Sequence, residues 1–226
     1  EEINKLIENW PVYTGIKIAL PNVRQWISQA DTYVKERLLF DLLRGIKFFG
    51  AREVGELFER NHEESIKSNL GAFVHRKKSD RREDLWVTYV DGPAKSGNDY
   101  ARQYVKKAKI STKCVKEMAF IDKAFESNAP LPSPPAMIVI IDDFIGTGDS
   151  LSENLSKFYK RNGKSIKNAD IPLQVLVISA TQEGEEKVRK RLGKLDENAD
   201  LTVCESLDQK HFAFGPENKI WENQQK

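Results

Sequence analysis

Asp142 and Asp143 stand side by side after an apolar run, and Phe144-Ile145-Gly146-Thr147-Gly148-Asp149-Ser150 follows them. Paired carboxylates of this kind can accept hydrogen bonds from neighbouring sugar hydroxyls or sit beside a bound Mg²⁺. Gly146 and Gly148 permit backbone conformations that other residues resist, so successive amide N–H groups can converge on one point. Thr147 and Ser150 add hydroxyls to those donors. Backbone N–H groups, hydroxyls and the start of a helix together suit a phosphate. The chemistry written in these nine residues is that of a sugar phosphate.

Such a site needs elements to hold it. Ala136 to Ile141 are rich in β-branched residues with no alternation, as in a strand covered on both faces of a parallel sheet. The acid pair would then lie at the strand's carboxyl end, where open α/β sheets bind ligands. Ser150-Leu-Ser-Glu153 reads as a capping box opening a helix through Leu151, Leu155, Phe158 and Tyr159. Asp149 carries negative charge into a site meant for an anion, and it fits there as an N-cap pointing away. A second loop of the same kind follows Leu85–Val90: Asp91-Gly-Pro-Ala-Lys-Ser-Gly97 links that strand to a helix through Tyr100, Tyr104 and Val105. It lacks the GxxxxGK[ST] spacing of a Walker A loop. An ordinary strand-to-helix turn with a solvent-facing Lys95 explains residues 91–97 as well as an anion site does.

The remaining sequence bounds the class. At 226 residues and 39% hydrophobic content the chain can bury one sizeable core. Charged residues reach 31%, yet they nearly cancel to +2, so no whole-chain field points to nucleic acid or membrane. Cys114 and Cys204 are far apart and no CxxC occurs, which argues against a zinc or disulfide framework and for a reducing cytoplasm. No apolar run approaches the roughly 20 residues of a membrane span. Glu1-Glu2 is unlike a secretion signal, and the missing initiator Met suggests processing or trimming.

Helical spacing dominates the first part: a short amphipathic start, a helix from Asn22, another from an Asp31 N-cap through Val34, Leu38, Leu42 and Ile46 to Gly50, then Arg52–Arg60 and Glu63–Leu70. Residues 1–84 therefore form a helical lobe and 85–226 an α/β domain. The basic run from His75 to Arg82 is interrupted by Asp80 and has no interleaved aromatics, so it reads as a solvated linker. Thr112–Met118 predicts a second strand, Leu173–Ser179 a further strand after Ala136–Ile141, Glu183–Leu192 a helix and Leu201–Cys204 a last strand. The alternation implies a parallel sheet with right-handed crossovers. Aromatics of the tail, Phe212, Phe214 and Trp221, suit docking onto the core.

Apolar residues, two acids and a loop ending in Thr-Gly-x-Ser resemble the PRPP-binding motif of type I phosphoribosyltransferases. The resemblance implies that fold, with an N-terminal helical lobe here. It implies that Asp142 and Asp143, as the catalytic acids, face the ribose hydroxyls, and that Ile145, Gly146, Thr147, Gly148, Asp149 and Ser150 cradle the 5′-phosphate. It places Ala94, Lys95, Ser96 and Gly97 at the pyrophosphate, with Mg²⁺ carried by the ligand and no protein metal site. The Pro130–Pro135 segment stands where that family carries a mobile loop, and no basic residue of it is assignable. With Trp26-Ile27-Ser28-Gln29, the whole is similar to the phosphoribosyltransferase-like proteins of bacterial conflict systems, some beside retron reverse transcriptases in antiviral defence. That implies a cytoplasmic effector acting on nucleotides at ribose C1, restrained by a reverse transcriptase–nucleic acid complex or another protein. Two other readings stand beside it: a catalytically silent nucleotide-sensing or assembly module, and, disfavoured by the glycine loop, a phosphoacceptor receiver domain.

Overall fold

The structure, a computed structural model, describes residues 2–12, 16–71, 81–90, 96–126 and 131–213. The chain separates into two compact units, residues 1–54 with 207–226 and residues 55–206. Phe58, His62 and Ile66 are buried, and Phe58 and His62 meet Tyr104 edge-on at ring distances of 5.8 and 5.6 Å.

In the first unit, α1 (Glu2–Glu8), α2 (Leu20–Ile27) and α3 (Tyr33–Gly45) gather Ile7, Val23 and Leu43 with Trp10, Trp26 and Phe40 into a small core. Thr32, not Asp31, caps α3, accepting from the Lys35 amide at 3.4 Å. The helix ends at Gly45 because Ile46 is already extended (φ −69, ψ 125). Its inner face is Leu43 and Phe40 rather than the Val34 stripe, and Val34 is 77% exposed.

The second unit begins within α4 (Ala51–Asn61), and the expected helix over 63–70 is a π-helical turn at His62–Ile66 followed by a 3₁₀ turn at Lys67–Asn69. Then come β1 (Leu85–Tyr89), α5 (Ser96–Lys107), α6 (Met118–Phe125), β2 (Met137–Ile145), α7 (Asp149–Asn168), β3 (Leu173–Thr181), α8 (Gln182–Leu195) and β4 (Ala199–Leu207). The strands lie in the order β1-β2-β3-β4, and β1–β2 and β2–β3 pair in parallel, Tyr89 opposite Ile141 and Ile141 opposite Leu176.

The strand expected at Thr112–Met118 is reduced to one parallel bridge, Val115 to Val87. Ser111 starts a 3₁₀ turn at Thr112–Cys114 and α6 begins at Met118, which leaves too few residues for a ladder. Even so, the bridge fixes the topology. Val87 faces Val139 of β2 on one edge, so Val115 must lie on the other. The chain leaves β1 toward one side and returns as β2 on the opposite side, which makes the gap between β1 and β2 the switch point of a doubly wound sheet.

Both faces of that sheet are covered. On one, Ile121 and Phe125 of α6, Leu151, Leu155 and Phe158 of α7, and Val188 and Leu192 of α8 pack with Ile138, Ile140, Leu173, Val175 and Val177. On the other, α5 lies against β1 and β2 through buried Ala101, Tyr104 and Val105. Burial on both sides is why β2 and β3 read as unbroken apolar runs. The fold is α/β, as the sequence predicts. Among the described residues no helix is long and apolar enough to cross a membrane.

Candidate functional site

β2 runs through the acid pair to Ile145, four residues beyond the last β1 pair at Ile141. Asp142 and Asp143 therefore project past the end of β1, beside the switch point. Although consecutive strand residues alternate faces, the two side chains here stay within hydrogen-bonding reach of each other. Asp142 is partly buried, and its carboxylate accepts from the Asp143 amide at 3.0 Å. Burial raises the Asp142 carboxyl to about 7, with the neighbouring Asp143 charge pushing the same way and the amide hydrogen bond opposing. At neutral pH this acid is poised between donating and accepting a hydrogen bond. Phe144 follows, 51% exposed.

The loop between β2 and α7 is short and its shape is set by glycine. Gly148 has φ +76, a left-handed conformation that L side chains resist, and a Cβ there would stand 2.7 Å from the Gly184 carbonyl oxygen. It is also the N-cap of α7, which begins at Asp149. The expected capping box at Ser150 to Glu153 is thus not formed, because Ser150 is already inside the first turn. The first intrahelical bond of α7 is from the Ser152 amide to Gly148 O, 3.1 Å, so the amides of Asp149, Ser150 and Leu151 have no partner along the helix. Thr147, Asp149 and Ser150 are exposed, Gly146 is half-buried and Ile145 buried. The loop presents open helix amides and the exposed Ser150 hydroxyl at the positive end of a 20-residue helix.

Asp149 is not the N-cap the sequence predicts. It pairs with Lys187 of α8. That hydrogen bond, then one from the Thr147 hydroxyl, holds its carboxyl below the usual range. Lys187 offsets the charge that Asp149 brings to the loop.

Sequence reasoning missed the second support of this loop. The Thr181 hydroxyl donates to Gly146 O at 2.6 Å and accepts from the Gly184 amide at 3.0 Å, capping α8. Gly184 sits in the first turn of α8 against the Gly146 carbonyl oxygen, where a Cβ would overlap that atom and come within 2.7 Å of Ile145 Cγ2. A glycine two residues inside a helix start, where no special φ is needed, was the only signal.

Of the second loop, Ala94 and Lys95 lie outside the described residues, as do residues 75–80 of the basic segment. Ser96 opens α5, and Gly97 is buried with its hypothetical Cβ 2.7 Å from Tyr89 Cβ. Gly97 thus lets α5 start directly against the end of β1. Since β1 and β2 are parallel neighbours, the N-termini of α5 and α7 both open at the carboxyl edge of the sheet, on either side of the acid pair. Two positive helix ends flanking two carboxylates can take a ligand that carries phosphate at both ends and hydroxyls between. No group of three or more His, Cys, Asp or Glu poised for a metal occurs among the described residues.

Comparison with known proteins adds a family. The model of the family PRTase-CE matches residues 23–226. No curated protein matches. Among solved structures, that of the AQ2163 protein from Aquifex aeolicus is a distant likeness, with TM-score 0.40 and 12% identity over 84% of this chain and 86% of its own.

Proposed function

The chain belongs to PRTase-CE, a phosphoribosyltransferase-like family, and from that premise we propose that it binds PRPP or a closely related ribose phosphate and acts at ribose C1. The observation that carries the reading is the acid pair at the switch point, followed at once by the open amides of the Gly146–Ser150 loop.

In this reading the 5′-phosphate takes the amides of residues 147–150 and the hydroxyls of Thr147 and Ser150. Asp142 and Asp143 hold the ribose hydroxyls, and the start of α5, with Ala94, Lys95, Ser96 and Gly97, takes the pyrophosphate. The C1–O bond breaks with its electron pair leaving on pyrophosphate, and the acceptor's nucleophile forms the new bond at C1. The protein's part is to fix these groups in line and to stabilise the separating charges with carboxylates near C1 and helix ends at the phosphates. Two carboxylates, with no larger cluster of metal-ligating side chains among the described residues, fit Mg²⁺ carried mainly by the ligand's phosphates, and Asp142 and Asp143 are the residues that would help to hold it. There it would neutralise the departing pyrophosphate.

Calorimetry with Mg²⁺-PRPP tests the reading. The native chain should give a binding isotherm, and Asp142→Asn/Asp143→Asn should lose it. No heat, or an isotherm unchanged in the double variant, overturns it.

A second reading keeps the pocket and drops turnover. It is supported by the short connection from α6 to β2, residues 126–136, which among its described residues has no helix or strand to close over the acids. Mass analysis after incubation with PRPP and candidate acceptors separates the two, since Asp143-dependent pyrophosphate release excludes the silent module. The proposal extends to setting: a cytoplasmic effector of antiviral defence, held in check by a retron-type reverse transcriptase or another partner. Loss of phage protection on Asp143→Asn in a co-expressing strain is the expected outcome.

A further inference from the structure

α7 and α8 pack side by side on one face of the sheet, and the furrow between their outer surfaces is a cleft of about 490 Å³. Its walls are Ser152, Glu153, Ser156, Lys157 and Lys160 from α7, and Lys187, Lys190, Arg191 and Lys194 from α8. Two of these cations are matched locally, Lys157 by Glu153 at 2.7 Å and Lys187 by Asp149. Arg191 donates through Nε to the Ser156 hydroxyl at 2.7 Å, tying the helices together without neutralising its charge. Lys160, Lys190 and Lys194 have no carboxylate partner among the described residues.

A chain with formal charge +2 has thus concentrated unpaired cations on two facing helix sides. Like charges placed together repel, so this arrangement lowers the stability of the free protein. Cations at Lys187, Lys190 and Lys194 recur about once per helical turn, roughly every 5.4 Å along the cleft. The walls contain no aromatic or aliphatic residue. Protein interfaces are anchored by buried aromatic and apolar side chains, and single-stranded nucleic acid sites by stacking platforms. Neither is present. Six cations against the single carboxylate of Glu153, itself taken up by Lys157, with hydroxyls between them, suit repeated phosphates whose bases are turned elsewhere.

We propose that the α7–α8 cleft is a docking surface for the phosphodiester backbone of duplex nucleic acid, bound without regard to sequence. The surface adjoins the ribose phosphate site through the Lys187–Asp149 pair but is distinct from it: its cations without a carboxylate partner are Lys160, Lys190, Arg191 and Lys194, none of which belongs to the acid pair or the glycine loop.

Fluorescence anisotropy of the full chain with fluorescein-labelled duplex DNA, across a salt series, tests this. Duplex RNA, single-stranded DNA and an oligoglutamate peptide serve as parallel probes. The duplex should bind with affinity falling steeply in salt. Lys160→Glu/Lys190→Glu should weaken it about tenfold or more and lower the salt slope by about two, one unit for each phosphate contact removed. Lys17→Glu/Lys106→Glu, an equal charge change on exposed residues elsewhere, should leave the slope unchanged. A better fit to RNA or to DNA identifies the source of the backbone. Lys160→Gln/Lys190→Gln gives the same reading should the charge-reversed pair fail to fold. The proposal is overturned by absence of duplex binding, by equal loss in the two charge-reversed pairs, or by the peptide binding more tightly than the duplex, which would make the cleft a seat for an acidic protein.

Discussion

Asp142 is the residue at which burial and chemistry pull hardest against each other. Its carboxyl is raised from 3.8 to about 7, first because burial disfavours the charged form. An acid whose native pKa is raised binds a proton in the folded state that the unfolded chain has already lost. Its favourable contribution is therefore complete below about pH 4 and is lost as pH rises toward 7. At about 1.4 kcal/mol per unit, the full cost of holding it ionised has an upper figure of about 4 kcal/mol. Asn has the shape of the neutral acid and can still accept from the Asp143 amide. Asp142→Asn should accordingly be more stable than the native chain by roughly 2–4 kcal/mol at pH 8, with the gap closing near pH 4. Chemical denaturation at the two pH values measures it. A gap independent of pH would mean that Asp142 is as well solvated as a surface carboxylate. A residue that destabilises its own fold at working pH is what a binding site looks like when its ligand supplies the missing partners.

At the level of elements, the glycine loop is held by the start of α8 as much as by β2. Helix propensity alone says that Gly184→Ala should stabilise α8 by about 1 kcal/mol. The Cβ would overlap the Gly146 carbonyl oxygen, so sterics should win, with a net loss of about 2 kcal/mol or more. Gly148→Ala adds a left-handed penalty of about 1–2 kcal/mol to a 2.7 Å approach to Gly184 O. Each should lower Tm by roughly 5–10 °C for a chain of this size, and a rise in either would show that the loop has room to give. Thr181→Val removes an N-cap, worth about 0.5–2 kcal/mol, and the hydroxyl on Gly146 O, whereas Thr181→Ser keeps both. Equal melting curves for the Val and Ser variants would show that the hydroxyl does not position the loop. These contacts also explain what the sequence could and could not tell. The runs 137–141 and 173–179 were legible as strands because burial on both faces removes polar alternation, and the acid pair with its glycines was legible because both sit in one local stretch. The bond from Thr181 to Gly146 spans 35 residues and the Lys187–Asp149 pair a similar distance. Nothing local announces them. The failed strand at Thr112–Met118 has the opposite cause: its composition suits a strand, but a capped turn and α6 claim the ends. Along α3, the stripe led by Val34 has the right period on the wrong side, since only the small core of the first unit decides which face is inward.

Across the whole molecule, order is unevenly distributed, and that distribution bears on how the site works. β2 and β3 are buried almost end to end between helices, while the first unit buries only Ile7, Val23 and Leu43 fully in its cluster. Local opening free energies follow buried apolar contact, so native-state hydrogen exchange should find β2 and β3 amides most protected and α1–α3 exchanging through smaller openings. The loop is the informative exception. Its amides lie next to the most rigid strand of the sheet, yet those of Asp149, Ser150 and Leu151 have no helical acceptor and should exchange fast in the free protein. A bound phosphate would accept from them directly. Adding Mg²⁺-PRPP should therefore slow exchange at 147–151 by about tenfold or more while leaving α3 unchanged, tenfold being about 1.4 kcal/mol of added protection. Slow exchange at these amides before any ligand is added would mean that they are already paired within the protein. Fast exchange that the ligand does not alter would mean that the phosphate, if bound at all, lies elsewhere. Either result would take away the physical basis for an anion at the head of α7, whatever the family resemblance implies.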